Sequence, residues 1–166
     1  MITLGLDPGL SATGYGAVIF ERGGLTLERC GVWRPPRGLV LAAKLCFLSE
    51  RLLALLGELH PSAVSVETVF AAKNVSSTVK LSHARGVLLA AAARHEIPVF
   101  EYEPRVVKKA LVGYGQAEKP QVRAMVLTLL ARQRSRVPLD AADALAVAIC
   151  HLHARPPGRE AENGKR

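Results

Sequence analysis

Apolar residues at Ile2, Leu4 and Leu6 alternate with small ones, which predicts an opening strand with one packed face and one face bare enough for another backbone to approach. Gly14 to Glu21 and Leu25 to Trp33 are β-rich runs joined through Arg22-Gly23-Gly24, where Gly-Gly supplies the positive φ of a short hairpin. The chain therefore starts as three antiparallel strands. Pro35-Pro36-Arg37-Gly38 breaks the sheet, and Leu45, Leu48, Leu52, Leu55, Leu56 and Leu59 then recur at helical spacing until His60-Pro61. That leucine stripe should lie on the sheet. Ala63 to Glu67 alternates again as a fourth strand, Ala71 to Ser77 has loop composition, and Thr78 to Glu96 reads as a long helix. Its Gly86 and Ala90 to Ala93 are too small to fill a core alone and suit close approach of another helix. Ile97 to Glu103 is the fifth strand. Pro104 opens a short helix that Gly113-Tyr114-Gly115 ends, and Pro120 opens another with Val122, Met125, Val126, Leu129 and Leu130 as its stripe. After a basic loop, Arg132 to Arg136, the last helix runs from Asp140 to about His153. Residues 155–166 have the composition of a disordered tail. Trp33 and Tyr102 read as core, and His151 and His153 as charges at a helix C-terminus.

At 166 residues and 49% hydrophobic content the chain can build one domain with its own core. Cys30, Cys46 and Cys150 are odd in number and lack Cys-x-x-Cys spacing, which points to a reducing, cytoplasmic setting without disulfides or zinc. No run of about 18 apolar residues could span a bilayer. The net charge of +8 has a location: Lys/Arg and Asp/Glu number six and six in residues 1–71, twelve and four in 72–136, and four and four in 137–166. A surplus confined to the middle segment fits a surface that tracks phosphates, so nucleic acid is the expected partner.

The chemistry lies in four acids. Asp7 ends the first strand ahead of Pro8-Gly9, and Glu67 ends the fourth. Strand ends beside loops are where α/β proteins keep their chemistry, although Asp7 would also suit an Asx-turn. Asp140 and Asp143 stand three apart at a helix start and share a face. An N-cap with its capping-box partner explains that spacing equally well. Gathered together, the four would repel unless a cation neutralised them, and hard oxygen donors suit Mg²⁺ or Mn²⁺. Paired ions about 4 Å apart activate water and stabilise the leaving oxygen of an in-line phosphoryl displacement. Acids for metal beside a basic groove for phosphate describe a nuclease. Phe70, in a loop with Lys73 and Asn74 just past Glu67, suits base stacking better than core.

Gly-Leu-Asp7-Pro-Gly with Thr13-Gly-Tyr-Gly16, Val66-Glu-Thr-Val-Phe70 with Ala72-Lys-Asn74, Lys80-Leu81 with Ala84-Arg-Gly86, Pro104 to Lys108, Gly113 to Val122, and Asp140-Ala-Ala-Asp-Ala-Leu145 together resemble the RuvC family of Holliday junction resolvases, in order along residues 1–153. The resemblance implies an α/β fold of the RNase H-like kind, a five-stranded mixed sheet with helices on both faces. It implies a homodimer that nicks two strands of a four-way DNA junction in recombination and repair, with two Mg²⁺ ions per site that Mn²⁺ can replace. Asp7, Glu67, Asp140 and Asp143 match the family's metal-binding acids, Lys108 and Lys119 its cations near the scissile phosphate, and Phe70 its aromatic near the junction centre. Lys73, Asn74, Lys80, Arg85, Arg105, Lys109 and Arg123 are the further expected DNA contacts. Thr68 stands where the family's Glu-Gln-Val-Phe pattern has Gln, which bears on base preference and not on the carboxylate. The RuvA–RuvB branch-migration complex is the implied protein partner. The small residues of the 78–96 helix are the expected dimer surface, with Ala91 as the position where a bulky charge would break it.

Three other readings compete. The Asp-Pro-Gly-Leu-Ser-Ala-Thr-Gly stretch resembles a phosphate loop of actin-like sugar kinases, but these need two such lobes and the chain has length for one. A hybrid-cutting nuclease of the ribonuclease H type would use the same acids and lysines. A non-catalytic DNA-binding module would have no use for four intact acids.

Overall fold

The computed structural model describes residues 1–68, 75–130 and 137–155. Ten elements follow in the order β1 (Ile2–Asp7), β2 (Thr13–Glu21), β3 (Gly24–Trp33), α1 (Leu41–Leu59), β4 (Ala63–Glu67), α2 (Val75–Arg94), β5 (Val99–Tyr102), α3 (Pro104–Val112), α4 (Lys119–Leu129) and α5 (Leu139–Ala154). The five strands form one sheet in the order β3-β2-β1-β4-β5, antiparallel at β1–β2 and β2–β3 and parallel at β1–β4 and β4–β5. Helices cover both faces, so the expected RNase H-like architecture is the one observed. No helix among the described residues is long and apolar enough to cross a membrane.

The period-2 pattern of β1 decides what each face receives. Leu4 and Leu6, both fully buried, join Leu48, Leu52 and Leu56 of α1 and Leu88 of α2 on one side. The bare side of the strand is where α5 lies. A Cβ added at Gly5 would collide with the backbone of Ala144 and press on Ala148, and one at Gly14 would collide with the carbonyl of Asp140. Glycine on the sheet lets a helix backbone rest directly on strand backbone. Helix α5 can accept that position because Ala141, Ala142, Ala144 and Ala148 keep it narrow, while Leu145 lies over Gly16 of β2 and Ile149 and Leu152 are buried in the core that α5 shares with α3 and α4.

Several boundaries differ from the sequence expectation. In the β2–β3 turn, Arg22 and Gly23 take positive φ (50° and 78°) and Gly24 already pairs with Glu21, so only Gly23 of the two glycines meets the expectation and Arg22 holds the other left-handed position. Helix α1 begins at Leu41, one turn before its leucine stripe. Helix α2 begins at Val75, three residues before its expected start and within the stretch expected as loop; Val75, Ser76 and Ser77 are exposed, so this first turn extends the helix beyond its packed part. Strand β5 is only four residues long, since Pro98 has no N–H for the ladder and Glu103 is already the N-cap of α3.

Two side-chain expectations need correction. His151 is buried rather than a surface charge: its Nδ1 lies 2.8 Å from the Tyr102 hydroxyl and its ring packs on Phe100 with centroids 4.5 Å apart. His153 is exposed as expected. Ala91 is only 2% exposed and belongs to its own chain's core with Ala84, Leu88 and Ala92. The outward face of α2 is instead Val75, Val79, Ser82, Gly86, Ala90 and Ala93. Trp33 and Tyr102 are half-buried, Trp33 stacked on Tyr15 at 4.6 Å. The loop 132–136, residues 71–74 and the expected tail beyond Arg155 lie outside the described residues.

Candidate active site

Asp7 and Glu67 reach one rim of the sheet because β1 and β4 run parallel with Leu6 beside Val66, and the next residue of each strand is a carboxylate. Gly14 pairs with Asp7 across β1–β2, and it is over Gly14 that the Asp140 backbone sits. A single close approach therefore brings the first turns of α5, with Asp140 and Asp143, to the strand acids. Pro138 is the N-cap of α5 and makes no side-chain cap bond, which removes the capping explanation for the aspartate pair. The Asx-turn explanation of Asp7 fails as well. Among the described residues its carboxylate accepts no hydrogen bond, and the loop after it is closed by Thr13, whose hydroxyl donates to the Gly9 carbonyl at 2.8 Å and accepts from the Gly9 N–H at 3.2 Å.

The electrostatics are those of crowded acids. Burial, followed by the charges of Asp143 and Glu67, pushes Asp7 up to about 7, against the pull of Lys119. Glu67 is raised too, by burial first and then by Asp143, while Lys119 and Lys108 oppose. Each acid of α5 is turned to its own cation: Lys119 Nζ donates to Asp143 at 2.9 Å, and Arg34 Nη2 donates to Asp140 at 2.8 Å. The Asp143 bond in turn raises Lys119. So placed, no three His, Cys, Asp or Glu side chains among the described residues stand close enough to share an ion. The acids are gathered at one rim, but the α5 pair would have to leave its cations to ligate one.

Lys108 and Lys119 reach the same place from α3 and α4, lining a small hollow with Glu67, Pro104 and Asp143. A wider hollow of about 330 Å³ opens beside it between Lys119, Pro120, Arg123, Asp140 and Asp143. Arg123 is half-buried there, with its Nε out of water and without a partner among the described residues. Arg105 and Lys109 are exposed on α3, and Lys80 on α2. Arg85, expected to face DNA, instead turns inward to Glu101 of β5 and is only 18% exposed, which leaves little of its guanidinium for a phosphate. Phe70, Lys73 and Asn74 lie outside the described residues. Sequence reasoning missed Arg34. Nothing local signals it, because its partner is 106 positions away.

What this constellation resembles among known proteins agrees with its geometry. The sequence profile of the family described as crossover junction endodeoxyribonuclease RuvC matches residues 3–151. A protein of that name from Nitratidesulfovibrio vulgaris is 48% identical over 152 residues, 92% of this chain and 90% of that protein. One from Syntrophomonas wolfei is 46% identical over 153 residues, 92% and 89% of the two chains. The structure of Thermus thermophilus RuvC in complex with a Holliday junction substrate superposes with a TM-score of 0.87 at 32% identity, covering 93% of this chain and 94% of that one. With a family profile that spans residues 3–151 and relatives of 46–48% identity that cover about nine tenths of it, the chain belongs to the RuvC family of crossover junction endodeoxyribonucleases.

Proposed function

We propose that the chain resolves four-way DNA junctions in the cytoplasm by paired, metal-dependent hydrolysis, and that residues 1–154 form the nuclease domain. The observation that carries this reading is the meeting of Asp7, Glu67, Asp140 and Asp143 at one rim of the sheet, with Lys108 and Lys119 beside them. All four acids are hard oxygen donors of the class Mg²⁺ and Mn²⁺ take, and the charge that Asp7 resists is the charge a cation would relieve. These residues would hold two Mg²⁺ ions, with Mn²⁺ an accepted substitute. When bound, the ions lower the pKa of an attacking water and stabilise the leaving oxygen. The protein's own contribution is to collect the acids, to keep Asp7 partly out of water, and to set two ammonium groups where a phosphate would lie. Arg105, Lys109 and Lys80 are exposed cations suited to backbone phosphates on either side.

A gel comparing a synthetic junction, a plain duplex and an RNA–DNA hybrid, with Mg²⁺ or with EDTA, tests the proposal. Paired cuts in the junction alone, lost in EDTA, support it. Equal cutting of hybrid would make the protein a ribonuclease H-type enzyme, and junction binding without cutting would make it a DNA-binding module.

Lys108→Ala and Lys119→Ala should lower the single-turnover rate by about 10²-fold while changing junction affinity by less than about tenfold, because a cation at the scissile phosphate matters most where charge builds in the transition state. Equal losses in rate and in affinity would make them ordinary phosphate contacts.

The junction has two-fold related strands, so two identical sites on one axis would account for paired incision, and we propose a homodimer that works beside the RuvA–RuvB complex. The outward face of α2 is available for it: Val75 and Val79 are 75% and 47% exposed, and Gly86 has open space around it. Ala90→Glu, on that face, should give a folded monomer by sedimentation that rarely cuts in pairs. Ala91→Glu should unfold the chain instead, since Ala91 is buried. An Ala90→Glu protein that stays dimeric and cuts in pairs would remove α2 from the interface.

A further inference from the structure

Arg34 is not among the residues expected at the site, yet it holds one of the four acids. Its backbone follows Trp33, the last residue of β3, which is paired with Thr13 and stacked on Tyr15. Strand β3 is the edge of the sheet opposite β5, and α3 with Lys108 follows β5. Arg34 therefore arrives from the side of the site away from Lys108. Its guanidinium bonds Asp140 at 2.8 Å while both side chains stay largely in water, 62% and 45% exposed. An ion pair so exposed contributes about 0–1 kcal/mol to stability, so it does little for the fold and breaks easily. A guanidinium is always charged, and its fork of donors fits phosphate oxygens as well as it fits a carboxylate.

We propose that Arg34 is a placeholder cation: it neutralises Asp140 while the site lacks metal, gives up that carboxylate when ions bind, and then contacts a DNA phosphate on the β3 side. The inference rests on the metal-dependent reading above and adds to Lys108, Lys119 and Arg123, which line the two hollows, a cation that arrives from the end of β3, a strand none of the four acids comes from. Two consequences distinguish it from a surface salt bridge. Arg34 competes with metal at Asp140, so its removal should tighten metal binding. It also carries one phosphate contact, so its removal should flatten the salt dependence of DNA binding.

The test uses the full chain. Mn²⁺ binding is titrated without DNA by calorimetry in wild type, Arg34→Gln, Arg34→Lys, Asp140→Asn and the Arg34→Gln/Asp140→Asn double variant. Junction affinity is then measured against salt in Ca²⁺ under conditions that give no cutting. Arg34→Gln should bind Mn²⁺ about two- to fivefold more tightly, Arg34→Lys should fall between, and the gain should vanish in the Asp140→Asn background. The slope of log affinity against log salt should drop by about one in Arg34→Gln. Unchanged Mn²⁺ affinity, a gain that persists without Asp140, or an unchanged salt slope overturns the inference while leaving the metal reading in place. Wild type that takes up no Mn²⁺ overturns both.

Discussion

Asp7→Asn is expected to abolish cutting and to make the protein more stable. Loss of a ligand that collects metal should remove several kcal/mol of transition-state stabilisation, about 10³-fold or more in single-turnover rate, with junction affinity within a few fold of wild type because phosphate is held by other residues. The stability gain follows from the position of the acid. Its folded pKa is raised from 3.8 to about 7, by burial first and by Asp143 and Glu67 next. Below the unfolded value both states are protonated and the group contributes nothing. As pH rises toward 7 the unfolded chain ionises and the folded one resists, so folding loses stability, and above about 7 the whole cost is present. Asparagine has no such cost. In EDTA at pH 8, urea unfolding should show Asp7→Asn more stable by about 2–4 kcal/mol, shrinking toward zero near pH 4. A difference that does not change with pH would mean that the acid is not crowded.

Gly5→Ala, one methyl group on the strand that ends in Asp7, should be among the most damaging substitutions in the chain. The new Cβ would meet the Ala144 carbonyl and the Ala148 nitrogen, which are helix backbone and cannot rotate away. Overpacking of a core commonly costs about 1–3 kcal/mol, and a collision of backbone with backbone should cost about 3 kcal/mol or more. Helix α5 must also shift, and Asp140 and Asp143 with it, so the fraction that folds should cut poorly. Gly57→Ala in α1 is the matching control: its Cβ meets nothing within 4 Å, and alanine in a helix interior should stabilise by about 0.5–1 kcal/mol. Urea midpoints and single-turnover rates for the two variants check both expectations.

That contrast shows which parts of the structure can be read from sequence. The bare face of β1 was legible because Gly5 sits between Leu4 and Leu6, and a strand with one empty face calls for a close neighbour. The four acids were legible because strand ends and a helix start are local features with period and punctuation. Pairings between distant side chains carry no such signal. Arg34 with Asp140 and Tyr102 with His151 are joined only through the sheet order and the placement of α5, and a histidine near a helix end looks alike in sequence whether it faces water or core. Ala91 was misassigned for a related reason. Small residues recur around much of α2, so composition alone does not say which of them face α1 and which face outward.

The central claim is that ions held by these acids act on the scissile phosphate, and sulfur substitution tests it most directly. With the cleavage position mapped, one non-bridging oxygen of that phosphate is replaced by sulfur, and single-turnover cutting is followed in Mg²⁺ and in Mn²⁺. Sulfur is a poor ligand for the harder ion and a better one for Mn²⁺. One sulfur stereoisomer is predicted to cut much more slowly than the oxygen substrate in Mg²⁺ and to recover in Mn²⁺, with no recovery in Asp7→Asn. Equal rates for sulfur and oxygen substrates in both metals, or recovery that persists in Asp7→Asn, would contradict it.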